Sequence, residues 1–236
     1  MQGKFYSYWG AENSSAYEFL NKCTDPEQHL EKFLWNLAPI DDKLVMDVGA
    51  GSGFHVVRYA QKAKHVFAVE PDPGMIRQIY TRLCSNFHDN ISVILASAES
   101  IPLSDNTMDV AYARFAYFFG DIDCLPGLSE VKRILKPGGH FFIIDTNPDR
   151  SQFGEIAKQV YPNIFHENYQ KEHTLFYKEH GFSYFEVDTV LRAPNREILA
   201  EVLQMDFPKK YKDIMEQVEG TELSYSLSVY HFYKPS

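Results

Sequence analysis

From Lys43 onward, apolar positions along this chain switch between two periods. "KLVMDVG" is an unbroken apolar run of strand length, and "FHVVRYAQKA" carries helical spacing. "HVFAVEP" and "PGMIRQIYTRLC" repeat the pair as a second strand and a second helix. "ISVILAS", "MDVAYAR" and "HFFIIDT" read as the third, fourth and fifth strands. Before the fifth, Leu128, Val131 and Leu135 share one helix face, and Pro137 with Gly138-Gly139 is expected to stop that helix. Strands without polar alternation, separated by helices, predict a parallel sheet covered on both faces.

The flanks follow other patterns. Residues 1–24 are polar and tyrosine-rich with weak periodicity. "TDPEQHLEKFLWNLA" predicts a helix with Leu30, Phe33, Leu34 and Leu37 on its apolar face, a Thr24/Glu27 capping box and Pro26 in the first turn. Residues 148–180 are expected to be helical, with His, Tyr and Phe scattered through them. "FSYFEVDTV" predicts a sixth strand, followed by helices in "NREILAEVLQMDF" and "KKYKDIMEQVE". In "ELSYSLSVYHFY", Leu223, Tyr225, Leu227 and Val229 alternate with Ser224, Ser226 and Ser228. That period of two predicts a strand with one buried and one polar face, placed near the sheet edge. The expected organisation is a single domain over 1–236: an N-terminal helical cap (1–42), a core (43–147), a variable lid segment (148–180), and C-terminal strands with a helical insertion (181–236).

Composition narrows the partners. With 23 basic and 32 acidic residues, the net charge of −9 disfavours nucleic acid and anionic membranes, whose affinity rests on Lys and Arg. Lys209, Lys210 and Lys212 are expected to form a solvated face. Cys23, Cys84 and Cys124 are too few and too far apart for a disulfide framework or a zinc pattern, so reduced thiols, no metal and a cytoplasmic protein are expected. "MQGKFYSYWGAENSS" has no apolar signal core, and no window reaches the length of a membrane span.

The chemistry begins at "VMDVGAGSGF", where Asp47 precedes Gly49, Ala50, Gly51 and Gly53 at the end of the first strand. Glycine clusters mark backbone that turns sharply or approaches a ligand closely. A strand-to-helix loop lies at the carboxyl end of a parallel sheet, where open sheets bind ligands. A dinucleotide would prefer G-x-G-x-x-G; this loop reads G-x-G-x-G, with Phe54 at the place of the third glycine. S-adenosylmethionine fits as a second ligand class, and a bare tight turn is the third reading. Glu70 closes the second strand, where an acidic side chain can accept both hydroxyls of a ribose and would repel a 2′-phosphate.

"VMDVGAGSG", "VFAVEPDPGMI", "LASAESIPLSDNTMDVAYA" and "VKRILKPGGHFFIID", in that order over residues 43–147, resemble the class I S-adenosylmethionine-dependent methyltransferases, in particular the methyltransferase type 11 and ubiquinone-menaquinone enzymes. The resemblance implies an α/β, Rossmann-like, seven-stranded sheet of order 3-2-1-4-5-7-6, its last strand antiparallel, with helices on both faces. It implies that the backbone from Gly49 to Gly53 passes the methionine end and that Asp47 holds that loop and the amino group. Glu70 would take the ribose, Pro71 and Asp72 would flank the adenine, and Ala98 and Glu99 would form the other side of its slot. Ser97 stands where similar sequences carry an aspartate that accepts from the adenine amino group. Arg114 would lie near the transferable methyl group.

The acceptor is expected to be a small molecule, because neither N-P-P-Y nor an ordered Pro-Cys follows the fourth strand. In-line displacement needs a base only if the acceptor must lose a proton. Tyr117, Asp145, Asn147 and His166 are the candidates at that sheet edge, while His55 is expected to point along its helix. Tyr6, Trp9 or Tyr17 of the aromatic N-terminal segment would cover the site. The alternatives are a NAD-dependent oxidoreductase and a protein that binds S-adenosylmethionine without turnover. The expected assembly is a monomer or a homodimer.

Overall fold

The apolar runs become strands where the pattern predicts them: β1 (Leu44–Val48), β2 (His65–Glu70), β3 (Ile91–Leu95), β4 (Met108–Arg114) and β5 (Leu135–Thr146). The computed structural model describes residues 14–85 and 88–236. β6 (Ser183–Arg192) and β7 (Glu222–Tyr233) complete one sheet of order β3-β2-β1-β4-β5-β7-β6. β1 to β5 pair in parallel, and β7 runs antiparallel to both β5 and β6. The helices are α1 (Ser14–Cys23), α2 (His29–Leu37), α3 (Phe54–Ala60), α4 (Pro73–Ser85), α5 (Leu125–Ile134), α6 (Ser151–Val160), α7 (Tyr169–Glu179), α8 (Arg196–Asp206) and α9 (Tyr211–Gln217).

Alternate residues of each central strand feed two cores. Val45, Tyr112 and Ile144 pack among Leu34 of α2, Val56 of α3 and Leu203 of α8. Met46, Ala111 and Ile143 pack on the other face among Leu128 and Val131 of α5 and Tyr177 of α7. Burial on both faces explains why these strands carry no polar alternation. Cys23 and Cys124 are buried free thiols and Cys84 is an exposed one. Among the described residues no helix is long and apolar enough to cross a membrane.

Three local expectations are corrected. The expected capping box does not form, because α2 starts only at His29. Thr24 instead bridges Leu191 of β6, and the Asp25 carboxylate accepts from the His29 and Leu30 amides at 2.9 Å each. An ionised acceptor takes two orphan amides where a threonine hydroxyl serves one. Despite the weak periodicity of this stretch, Ser14–Cys23 is helical, within the segment expected to form an N-terminal helical cap. α5 stops at Ile134, and extended chain already begins at Leu135, with a register shift between Met108 and Val110 absorbing the extra length. β7 lies near the sheet edge, inside β6, as expected, but the face that carries its serines is not a solvent face. Ser226 and Ser228 are accordingly buried, and their hydroxyls donate to Asp188 Oδ1 at 2.8 Å and Gln170 Oε1 at 2.9 Å.

Candidate functional site

The loop after β1 is built entirely on its glycines. Gly49, Gly51 and Gly53 have φ of 75°, 54° and 75°, a region that other L-residues enter at a cost. A Cβ on Gly49 would lie 2.5 Å from Ala116 Cβ, and one on Gly51 would lie 2.9 Å from Tyr17 Oη. The Gly49 and Ala50 amides donate to the Val69 carbonyl at 2.8 and 3.0 Å, which folds the loop against the end of β2. The Gly51 amide donates to Glu70 Oε2 at 2.8 Å, and the Asp72 amide to Glu70 Oε1 at 2.9 Å. Each Glu70 oxygen so engaged keeps a further lone-pair direction for a hydroxyl donor. Tyr17 of α1 lies across this loop, and burial raises its phenol to about 12. Tyr6 and Trp9 lie outside the described residues.

Two carboxyls are buried here without a cation of their own. Asp47 is 3% exposed, and burial pushes its carboxyl up to about 7, with Arg114 opposing and Glu70 adding to the rise. Burial also raises Glu70. The Asp72 carboxylate caps α4, accepting from the Gly74 and Met75 amides at 2.6 and 2.9 Å. After β3, Ala98 is buried, Ser97 partly so, and Glu99 exposed.

Arg114 points to α2. Its Nη2 donates to Glu31 Oε1 at 3.0 Å, and its Nη1 lies 3.0 Å from His55 Nδ1. Arg58 Nη1 donates to the same Glu31 oxygen at 3.3 Å. Burial works against ionisation of Glu31, but Arg114, His55 and Arg58 hold its carboxyl well below the usual carboxylate range. Burial, with Arg114 and Arg58 beside it, depresses the His55 imidazole to about 4, so the ring is neutral near pH 7. His55 is therefore turned into the ion cluster and not along its helix, which corrects the expectation.

The loop from Phe115 to Tyr117, past the end of β4, is strained: Phe115 and Tyr117 have φ of 49° and 56°. Tyr117 Oη donates to the Asp123 carbonyl at 3.0 Å, while burial and Glu99 raise its phenol. Asn147 is fully buried and committed: its Nδ2 donates to Tyr184 Oη at 3.0 Å, and its Oδ1 accepts from the Asp149 amide at 3.0 Å. His166 is half-exposed, its Nε2 3.6 Å from Glu172. Asp145 is the candidate with free basicity: burial pushes its carboxyl up to about 6, and Tyr169 of α7 donates to its Oδ2 at 3.4 Å. The His173 ring lies 3.7 Å from that of Tyr169 and sits over Gly120, where a Cβ would be 2.8 Å from His173 Cγ. Glu31, Tyr169 and His173 were not singled out by sequence reasoning. The one available signal was a histidine and a tyrosine four residues apart on a helix of the variable segment.

The donor set decides which ligand suits the loop. Two uncompensated carboxyls would repel a pyrophosphate, whereas an ammonium, a sulfonium and a ribose diol offer the positive charge and hydroxyl donors they lack. The residues therefore fit S-adenosylmethionine and not a dinucleotide. Among the described residues no group of three His, Cys, Asp or Glu side chains could hold a metal ion.

Comparison with known proteins agrees. Residues 45–139 match the model of a methyltransferase domain family. An uncharacterized methyltransferase of Mycobacterium tuberculosis is 31% identical over 125 residues, covering 51% of this chain and 49% of the relative. A tRNA U34 carboxymethyltransferase of Cellvibrio japonicus is 27% identical over 53% of this chain and 39% of its own. A ubiquinone/menaquinone biosynthesis C-methyltransferase of Geobacter sulfurreducens is 28% identical over 65% of this chain and 59% of its own. The match thus spans about half the length of the first of these curated relatives. In fold, a S-adenosylmethionine-dependent methyltransferase from Aquifex aeolicus superimposes with a TM-score of 0.61 at 20% identity, over 93% of this chain and 97% of the other. Sheet order, glycine loop, acidic strand ends and family match converge on a methyltransferase domain over residues 45–139.

Proposed function

We propose that this chain binds S-adenosylmethionine along Asp47–Gly53 and Glu70 and directs its methyl group to a small-molecule acceptor between the ends of β4 and β5. The observation that carries the reading is the pair of buried carboxyls, Asp47 and Glu70, on one glycine-built loop. Bound there, the cofactor supplies an electrophilic methyl group on a cationic sulfur. Glu70 receives the ribose hydroxyls, Pro71, Asp72, Ser97, Ala98 and Glu99 border the adenine, and Asp47 receives the amino group. Tyr17 covers the loop and keeps water from the reacting centre.

Asp145 is the proton acceptor in this reading. A carboxyl poised near 6 is a carboxylate at neutral pH and still basic enough to take a proton from an acidic acceptor hydroxyl. Tyr169 orients it through their hydrogen bond. The acidic chain supports a small acceptor over RNA. The tRNA-directed relative makes RNA the reading to exclude. A cytoplasmic monomer or homodimer accompanies the proposal.

Calorimetric titration with S-adenosylhomocysteine and, in parallel, NADH tests the cofactor: binding of the first and not the second is expected. Release of S-adenosylhomocysteine is then screened against phenols, carboxylates, amines, thiols and bulk tRNA. Turnover with a small molecule supports the reading. Turnover with tRNA alone overturns the acceptor class, and cofactor binding with no turnover on any acceptor favours a non-catalytic binding protein.

A further inference from the structure

Glu31 is placed where a stable helix would carry a leucine. It lies beside Leu30 and Leu34 on α2 and is 1% exposed. A buried ion pair offers little net stability, and an apolar side chain of similar volume often serves as well. Its geometry is also incomplete: Glu31 Oε2, Arg114 Nε and Tyr59 Oη are buried without hydrogen-bond partners. Unsatisfied buried polar atoms mark groups retained for a purpose other than packing.

That purpose is legible in how Arg114 divides its donors. Two carboxyls, Glu31 and Asp47, lie within the field of its guanidinium. Nη2 goes to Glu31 and Nη1 to His55, and no nitrogen reaches Asp47. Glu31 is anchored in turn by Arg58 of α3. Asp47 also faces Glu70 of β2 and the phenols of Tyr17 and Tyr59, none of which is cationic. Without the Glu31 charge, the Arg114 guanidinium would turn to Asp47, the other anion in its field.

We propose that Glu31 is a positioning residue of the cofactor site: it draws the Arg114 guanidinium toward α2 and thereby leaves the Asp47 carboxyl for the cofactor's amino group. The inference rests on the proposed binding of S-adenosylmethionine at this loop. It assigns Glu31 no contact with the ligand.

The test titrates the whole chain with S-adenosylhomocysteine and with 5′-methylthioadenosine, which keeps the adenosine and thioether but lacks the amino-acid end. Glu31→Gln should weaken S-adenosylhomocysteine by about tenfold, since a hydrogen bond to a charged group is contested, and 5′-methylthioadenosine by less than about twofold. Adding Arg114→Met to Glu31→Gln removes the competing cation and should return S-adenosylhomocysteine to within about threefold of the parent chain, a non-additive result expected of coupled residues. Glu31→Asp, which keeps the charge but withdraws it by one methylene, should show the same ligand split at about threefold and serves if the glutamine variant does not fold. Equal weakening of both ligands would assign Glu31 a purely structural role and overturn the proposal, as would unchanged affinity or a double variant that binds no better than Glu31→Gln. If the parent chain itself binds neither ligand, it is the cofactor reading that fails.

Discussion

The Gly51 amide donates to Glu70 Oε2 across 2.8 Å, so the glycine loop and the end of β2 form one hydrogen-bonded unit. The other Glu70 oxygen takes the Asp72 amide, which joins that unit to the start of α4. A residue proposed for the ribose therefore also shapes the loop that carries the methionine end. Glu70→Ala is expected to weaken S-adenosylhomocysteine by about 1–3 kcal/mol and to lower stability by a similar amount, because two part-buried amides lose their acceptor. Paired calorimetry and denaturant unfolding check it. Glu70→Gln, which keeps one acceptor oxygen, should recover part of the stability but less of the affinity.

Gly49 separates backbone strain from steric conflict. A Cβ there meets Ala116 Cβ at 2.5 Å with φ of 75°, while at Gly220, φ 74°, a Cβ meets nothing within 4 Å. Gly220→Ala should cost about 1 kcal/mol from the left-handed backbone alone. Gly49→Ala should cost about 1–3 kcal/mol more, because Ala116 belongs to a strained loop with little room to retreat. Urea unfolding of the two variants side by side measures the difference; equal losses would mean that the Phe115–Tyr117 loop yields freely.

The strands and the glycine loop were legible in the sequence because their causes are local. Buried parallel strands are continuous apolar runs, and a loop needing three left-handed residues shows three glycines. The start of α2 was not legible, because Thr24 is claimed by Leu191 and Asp25 by Thr189, residues more than half the chain away. The covered serine face of β7 was not legible, because Ser226 and Ser228 look solvent-facing until Asp188 and Gln170 arrive as partners. Glu31 was invisible for the same reason. Beside an apolar stripe a glutamate reads as solvated, and the arginine that keeps it buried stands at position 114. Periodicity reports which faces are buried, not which charges will be neutralised there by remote partners.

Cofactor affinity should depend on pH through Asp47. Burial places its carboxyl near 7 in the free protein, and pairing with an ammonium requires the ionised form. Below about pH 7 each unit should cost up to about tenfold in S-adenosylhomocysteine affinity, while above about 7.5 the dependence should flatten as the carboxyl is already ionised. Arg114, Glu70, Tyr17 and Tyr59 face the same carboxyl. Of these, Arg114, Tyr17 and Tyr59 do not change charge in that window, whereas Glu70, raised by its own burial, is the one other group whose protonation would carry such a slope. Asp47→Asn separates the two: it should bind more weakly and lose the dependence, and a retained slope would assign the proton to Glu70.

The stability of the far end of the sheet should depend on pH through a histidine pair. His140 Nδ1 and His231 Nε2 share a hydrogen bond at 2.9 Å, with rings stacked 5.1 Å apart, and His231 also stacks on Phe142 at 4.5 Å. Burial, and for His231 the neighbouring ring, depresses both imidazoles, His231 to about 4; Lys43 adds to the effect on His140. A folded-state value below the unfolded one means that the unfolded chain takes up protons first. The stabilisation is therefore whole above about pH 6.5 and drains away as pH falls toward 4. His231→Phe keeps the stacking surface but removes the shared hydrogen bond. It should be less stable than the parent by about 1 kcal/mol at pH 7.5. At pH 5, where the parent has given up part of its stability to protonation of the unfolded chain, the variant should match or exceed it. Urea unfolding at the two pH values gives the answer: a deficit of the same size at both would show that the pair contributes only through its hydrogen bond and not through its neutrality.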